Sequence, residues 1–119
     1  MKENILKDKS YRFSIRIVNL YKYLCNEKRE FVMSKQILRS GTSIGALVRE
    51  AEFAQSKLDF INKMSVALKE ANETMYWIDL LKETGYINSS MYNSLISDCK
   101  DILKLLIATV KTTKSNIDK

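Results

Sequence analysis

Apolar residues recur every three or four positions along most of the chain, which is the pattern of amphipathic helices. Four such segments, separated by short polar stretches, predict helices over about 9–25, 34–54, 57–84 and 89–111. In the first segment we expect Val18 to widen the apolar row that faces the core. Because a short loop cannot return the chain to the end where a helix began, consecutive helices must be antiparallel. The pattern therefore predicts one all-α domain over residues 1–119, an up-down-up-down four-helix bundle.

Particular residues mark the predicted helix ends. Ser34 and Ser56 stand where the second and third segments begin and are suitable N-caps, and Asp59 completes a capping box with Ser56. Gly85 follows the third segment as a C-terminal cap. The polar residues 111–119 are expected to fray.

Two small residues interrupt the second segment. Gly41 and Gly45 are four positions apart, so they lie on one helix face. Each glycine costs about 1 kcal/mol in a helix interior relative to alanine. This face therefore suits the close approach of another helix, either from a second subunit or from the same chain. Tyr76 and Trp77 are adjacent in the third segment and are further candidates for core or subunit contacts, or for stacking on bases.

The composition supports the helical prediction. The chain contains no proline and only three glycines, whereas a sheet protein of 119 residues needs turn residues at every hairpin. Its two cysteines, Cys25 and Cys99, have no metal-binding spacing and fit a reducing environment. No apolar run approaches the roughly 20 residues of a membrane span, and no signal peptide is visible. We expect a soluble cytoplasmic protein that does not contact membranes.

The absence of histidine excludes most catalytic chemistry. Without it, the chain has no Ser-His-Asp or Cys-His nucleophile and no His-containing metal centre, and it also lacks phosphate-binding glycine motifs. Glu50, Glu70 and Glu73 are the only carboxylates that we consider for acid–base work, and ion pairs with neighbouring cations explain them better. We therefore expect no enzyme, no cofactor and no metal.

The net charge of +6 is unevenly distributed. Residues 1–40 contain 10 Lys or Arg and 4 acids, whereas residues 41–119 contain 10 of each. Excess positive charge favours a nucleic-acid or acidic-protein partner, although it also fits a surface that only keeps the protein soluble. The candidate nucleic-acid contacts are Arg12, Arg16, Lys22, Lys35, Arg39 and Arg49.

Several segments together identify a family resemblance. They are ILRSGTSIGA at 37–46, REA at 49–51, SKLDF at 56–60, ALKEANETMYW at 67–77 and GYI at 85–87. The chain resembles the bacterial four-helix-bundle proteins encoded in intervening sequences of 23S ribosomal RNA genes. Leu47 departs from the family pattern, which usually has Asn after Ser-Ile-Gly-Ala, so the polar contact made there in relatives is in doubt.

The resemblance implies a homopentamer without established enzymatic activity. The family is similar to the accessory proteins of diversity-generating retroelements, which associate with RNA and a reverse transcriptase. Two hypotheses follow for this chain. One is an RNA-associated homo-oligomer, and the other is a protein-interaction module that does not bind nucleic acid.

Overall fold

Four helices account for nearly all of the chain. The computed structural model describes residues 2–118 and contains α1 (Lys2–Asn26), α2 (Met33–Ala51), α3 (Lys57–Glu83) and α4 (Ser89–Asp118). Each helix packs against the next one, and α4 returns to α1, although α1 and α4 are the least closely packed neighbours. The resulting antiparallel up-down-up-down bundle measures 51 × 22 × 21 Å and confirms the predicted fold. Between Lys2 and Asp118, no helix is long and apolar enough to cross a bilayer.

A continuous apolar core runs along the bundle axis. All four helices contribute fully buried side chains to it, among them Phe13, Ile17, Leu24, Ile37, Ile44, Ile78, Leu81, Ile102 and Leu106. Burial of such side chains is worth about 1.5–3 kcal/mol each before the entropy of ordering is subtracted. The core therefore fixes which helix faces remain on the surface.

The first helix begins seven residues earlier than the prediction. Leu6 is buried in the core and continues the apolar row of α1 by two further turns. Ser10 interrupts this row in the sequence but is itself buried, with its hydroxyl donating to the Lys7 carbonyl at 3.1 Å. A polar residue at a core position thus obscured the true start of the helix.

The prediction that Ser34 caps the second helix is wrong. The helix begins at Met33, and Ser34 is buried inside its first turn. Glu30 supplies the cap, because its carboxylate accepts the backbone N–H groups of Val32, Met33 and Ser34 at 3.1, 3.0 and 2.7 Å. The negative charge of this carboxylate also interacts favourably with the positive end of the helix dipole.

The second helix ends at Ala51, three residues before the predicted end. The N–H groups of Glu52, Phe53 and Ala54 each bond to the carbonyl three residues earlier, at 3.0–3.2 Å. Bonds of this kind tighten the last turn and end the α-helical pattern. The prediction placed the end of the helix three residues too late because Phe53 and Ala54 are apolar and continue the sequence pattern.

The third helix has the predicted start and stop signals. The Ser56 hydroxyl accepts the Asp59 N–H at 3.0 Å, while the Asp59 carboxylate accepts the Gln55 N–H at 3.2 Å instead of that of Ser56. At the other end Gly85 adopts a left-handed φ of 84°, and Tyr86 N–H bonds to the Leu81 carbonyl at 2.9 Å. This is a Schellman-type end, which glycine adopts at little cost.

The predicted fraying after Lys111 is wrong for the described residues, because α4 remains helical through Asp118. The hydroxyls of Thr109 and Thr113 donate to the carbonyls four residues earlier at 2.8 Å, so their hydrogen-bonding groups are satisfied within the helix. Lys119 lies outside the described residues.

Candidate nucleic-acid interface

The six predicted basic contacts do not form one patch. Arg16 lies at the seam between α1 and α4, whereas Arg39 lies at the seam between α2 and α3, on the opposite side of the bundle. Of the other four basic residues, one forms an ion pair with a carboxylate among the described residues and the others do not. The side chains that are free to meet a phosphate are therefore a subset of those predicted.

Arg16 joins two helices. Its Nη1 donates to Asp98 Oδ2 at 2.5 Å and to the Ser94 carbonyl at 3.3 Å, and its Nη2 donates to the Ser94 hydroxyl at 2.9 Å. The guanidinium has thus used much of its donor capacity inside the fold. It serves the contact between α1 and α4.

Arg39 is held between two carboxylates of α3. It pairs with Glu70 at 3.2 Å and also with Glu73, which in turn accepts the indole N–H of Trp77 at 3.0 Å. Glu50 is not part of this group, because it pairs with Lys63 at 3.7 Å. The three candidate carboxylates are therefore partners in ion pairs and do not form one cluster.

Arg12 makes an exposed pair within its own helix. Its Nε lies 3.1 Å from Asp8 Oδ2, four residues earlier. Exposed pairs of this kind contribute about 0.3–0.5 kcal/mol, so a phosphate can compete for the arginine.

Lys22, Lys35 and Arg49 form no ion pair within the described part of the chain. All three are exposed. The centre of the Arg49 guanidinium lies 5.5 Å from the centroid of the Tyr11 ring, which is a cation–π contact. Of the six predicted contacts, these three are the ones that have no carboxylate partner among the described residues.

The three cations share one surface, which we call the α1–α2 face. Helical spacing places its members in two rows along the outside of the two helices. The row on α1 is Tyr11, Ile15, Val18 and Lys22, and the row on α2 and the turn after it is Lys35, Thr42, Ala46, Arg49 and Phe53. Val18 was expected to face the core but is exposed on this face.

Close packing of α1 on α2 sets the floor of this face. A Cβ placed on Gly41 would lie 2.7 Å from Ile17 Cγ1, and one placed on Gly45 would lie 3.1 Å from Ser14 Oγ and 3.2 Å from the Ser10 carbonyl oxygen. The two glycines thus allow the backbones of α1 and α2 to approach within one chain. Gly45 remains partly accessible from outside.

A groove of about 460 Å³ opens on the α1–α2 face above Gly45. Tyr11 and Arg49 stand on its walls, and Phe53, which is 80% exposed, stands at its end. Glu50 also lines the groove but pairs with Lys63, and Lys7 in the lining pairs with Glu52 at 2.8 Å. Arg49 is therefore the one lining charge without a partner among the described residues.

Sequence reasoning missed Tyr11 and Phe53 as candidates. They are 42 positions apart, and only the antiparallel register of α1 and α2 brings them to one groove. A usable signal was present, because Tyr11, Ile15 and Val18 form a second apolar row on α1 outside the core row.

The aromatic pair lies on another helix. The rings of Tyr76 and Trp77 meet edge to face at 5.0 Å, with Tyr76 exposed and Trp77 partly buried against the core. Tyr76 shares the outer side of α3 with Leu58 and Val66, which are also exposed. This outer row of α3, interrupted by the exposed Asn62, Lys69 and Asn72, is a second surface with apolar side chains, separate from the α1–α2 face.

Within the part of the chain that the structure describes, three side chains have raised pKa values, and none of them lines the groove. Burial raises the pKa of the Cys99 thiol to about 12. The hydrogen bond to Asp79 raises the pKa of Tyr92, and the interaction with the Cys25 side chain raises that of Tyr21. All three shifts move the pKa further from neutral pH, so none of these groups is suited to act as a general acid or base there.

The family model described as "23S rRNA-intervening sequence protein" matches residues 2–108. The chain belongs to this family. Comparison of the chain with curated proteins found no match.

The solved structure of one relative is closely similar to that of this chain. The relative is a protein of unknown function from the S23 ribosomal protein family of Bacteroides thetaiotaomicron, 64% identical to this chain. The match covers 93% of this chain and 99% of that chain with a TM-score of 0.92. The fold of this chain is thus shared with a crystallised relative.

The position where this family member departs from the usual pattern lies next to the core. Leu47 is partly buried and packs against the core cluster. An apolar side chain suits that environment.

Proposed function

We propose that this protein is a non-catalytic helical bundle that associates with RNA as a homo-oligomer. The observation that carries the proposal is the α1–α2 face, along which Lys22, Lys35 and Arg49 are exposed and form no ion pair with any residue that the structure describes. Phosphates bind such cations by releasing condensed counterions, and this term needs no particular base sequence. The expected partner is therefore RNA recognised mainly through its backbone.

Self-association is supported by the second apolar surface. Leu58, Val66 and Tyr76 expose apolar area on the outer row of α3, and exposed apolar surface of this kind is typical of subunit contacts. The α1–α2 face is less suited to contact its own copy, because its three cations would repel one another. We propose that the α3 row joins copies, in the homopentamer that the family resemblance implies.

The salt dependence of RNA binding tests the first part of the proposal. We would measure affinity of the purified protein for structured RNA and for duplex DNA of matched length across a salt series. Each phosphate contact contributes about 0.7–0.9 to the slope of log K against log salt. Replacing Lys22, Lys35 and Arg49 together with glutamine should lower that slope by roughly 2.

A matched control separates a site from general charge. Lys100, Lys104 and Lys111 are exposed on α4, and their replacement with glutamine removes the same charge from another surface. The control variant should retain the slope of the wild type. Equal losses in both variants would contradict a site on the α1–α2 face, and no RNA binding at low salt would contradict the proposed function.

Light scattering tests the second part. Tyr76→Ser with Val66→Ser should lower the molar mass of the assembly if the α3 row joins copies. An assembly of unchanged mass would show that another surface makes the contact.

A protein-interaction module is the second candidate. Ile15, Val18 and Phe53 expose apolar area beside Arg49, and aromatic and arginine side chains are common in protein interfaces. The partner would then be another protein, for which the family resemblance points to a reverse transcriptase. This candidate predicts binding that depends on the apolar residues and only weakly on salt.

A further inference from the structure

The groove on the α1–α2 face contains a combination that plain charge attraction does not require. Tyr11 presents its ring beside the Arg49 guanidinium, and Phe53 exposes most of its ring at the end of the same groove. A solvated basic face needs lysines and arginines but gains nothing from exposed aromatic rings. The rings therefore indicate a ligand with flat apolar faces.

We propose that this groove binds an unpaired nucleotide of single-stranded RNA, with the base stacked on Tyr11 or Phe53 and a phosphate on Arg49. This inference rests on the proposed RNA association and names the form of RNA. The volume of the groove, about 460 Å³, lies in the range of roughly 300–1,000 Å³ that small-molecule sites occupy. Because Gly45 and Ala46 carry little side chain at the floor, a base can approach the backbone closely.

The charge of the face fits an extended strand. Lys22 lies eleven residues from Tyr11 in the same row of α1, which is about 16 Å along the helix. Lys35 follows at the corresponding end of α2. A strand that leaves the groove therefore meets two further cations along the same face. Paired bases in a duplex cannot offer their flat sides to Tyr11, so the groove selects single strands.

The test compares a short unstructured RNA with the fully paired duplex of the same sequence at fixed salt. Whichever of Tyr11→Ala and Phe53→Ala removes the ring that holds the base should weaken single-strand binding by roughly 5- to 150-fold, the range for loss of one stacked base. Duplex binding should stay within about twofold, because its phosphate contacts are untouched. Tyr11→Phe retains the ring and should bind single strands as the wild type does.

Tyr76→Ala is the matched control, since Tyr76 is 58% exposed and Tyr11 is 54% exposed. It should leave the ratio of single-strand to duplex affinity unchanged. Thermal melting followed by circular dichroism would confirm that each variant is folded, and light scattering would give its assembly size.

The possible results separate this inference from the proposed function. If the wild type binds no RNA at low salt, both fail. If the wild type binds RNA but Tyr11→Ala and Phe53→Ala bind single strands equally well, the groove is not a base site while RNA association stands. If either variant changes the assembly size, the groove is a contact between copies and the inference is overturned.

Discussion

The carboxylate of Glu30 accepts the backbone N–H of Ser34 at 2.7 Å, so the loop before α2 provides the cap that the helix itself lacks. Two further N–H groups in the same turn bond to this carboxylate. These groups have no partner within the helix, and the side chain of Glu30 is buried. The side chain of Glu30 therefore holds the end of this connection against the first turn of α2.

Glu30→Ala should lower the free energy of unfolding by about 1–3 kcal/mol, because it removes a cap and leaves three N–H groups without an acceptor. Glu30→Gln retains one acceptor oxygen and should cost less. Urea denaturation of both variants measures the difference. An alanine variant as stable as the wild type would show that water replaces the carboxylate without penalty.

Most of the fold was predictable because it depends on local signals. The apolar period gave the four helices, and Ser56 and Gly85 gave correct boundaries for α3, since each acts within a few residues of itself. Glu30 was missed because it lies four residues before the helical residue it caps most closely. The groove was missed because Tyr11 and Phe53 meet only through the register of α1 and α2, which no single segment specifies.

The basic residues illustrate the same limit. Charge counting found the cations of the first two helices, and half of the six named residues proved to be paired. Arg16 pairs with Asp98 of α4, which lies 82 residues further along the chain. Long-range ion pairs of this kind depend on tertiary structure and not on the sequence pattern around the arginine.

Gly41→Ala is expected to destabilise the protein although alanine is the better helix former. The new methyl group would meet Ile17 Cγ1 at 2.7 Å, and Ile17 is fully buried. Overpacking of this kind costs about 1–3 kcal/mol, against a gain of about 1 kcal/mol in helix propensity. We expect a net loss of about 1 kcal/mol in urea denaturation.

Two comparison variants separate crowding from propensity. Ala46→Gly, at an exposed position of the same helix, should report the propensity difference alone. Gly45→Ala should be nearly neutral, because the tight contacts with Ser14 Oγ at 3.1 Å and the Ser10 carbonyl oxygen at 3.2 Å offset the gain in helix propensity. If Gly41→Ala proves more stable than the wild type, the contact with Ile17 relaxes more easily than we infer.

A buried hydroxyl pair links α2 to α3. The Ser40 and Thr74 oxygens lie 2.9 Å apart, and the Thr74 oxygen lies 2.8 Å from the Glu70 carbonyl. Thr74→Val preserves the shape but leaves the buried Ser40 hydroxyl without this partner, which should cost about 1–3 kcal/mol. Thr74→Val combined with Ser40→Ala should recover part of that loss. A double-mutant cycle measures the coupling, and additive effects would mean that the pair contributes no specific stabilisation.

The buried thiol of Cys99 predicts a loss of stability at high pH. Its pKa is raised from the ordinary 9.0 to about 12 by burial, and its Sγ lies 3.5 Å from the Ala71 carbonyl oxygen. Above pH 9 the unfolded chain releases this proton while the folded chain retains it, so unfolding becomes more favourable as pH rises toward 12. The free energy of unfolding should fall by up to about 1.4 kcal/mol per pH unit from this group. The slope measured for Cys99→Ala is subtracted from that of the wild type, because it contains the contribution of every other group of the chain. A variant whose stability falls as steeply as that of the wild type would show that the thiol is accessible enough to ionise in the folded protein.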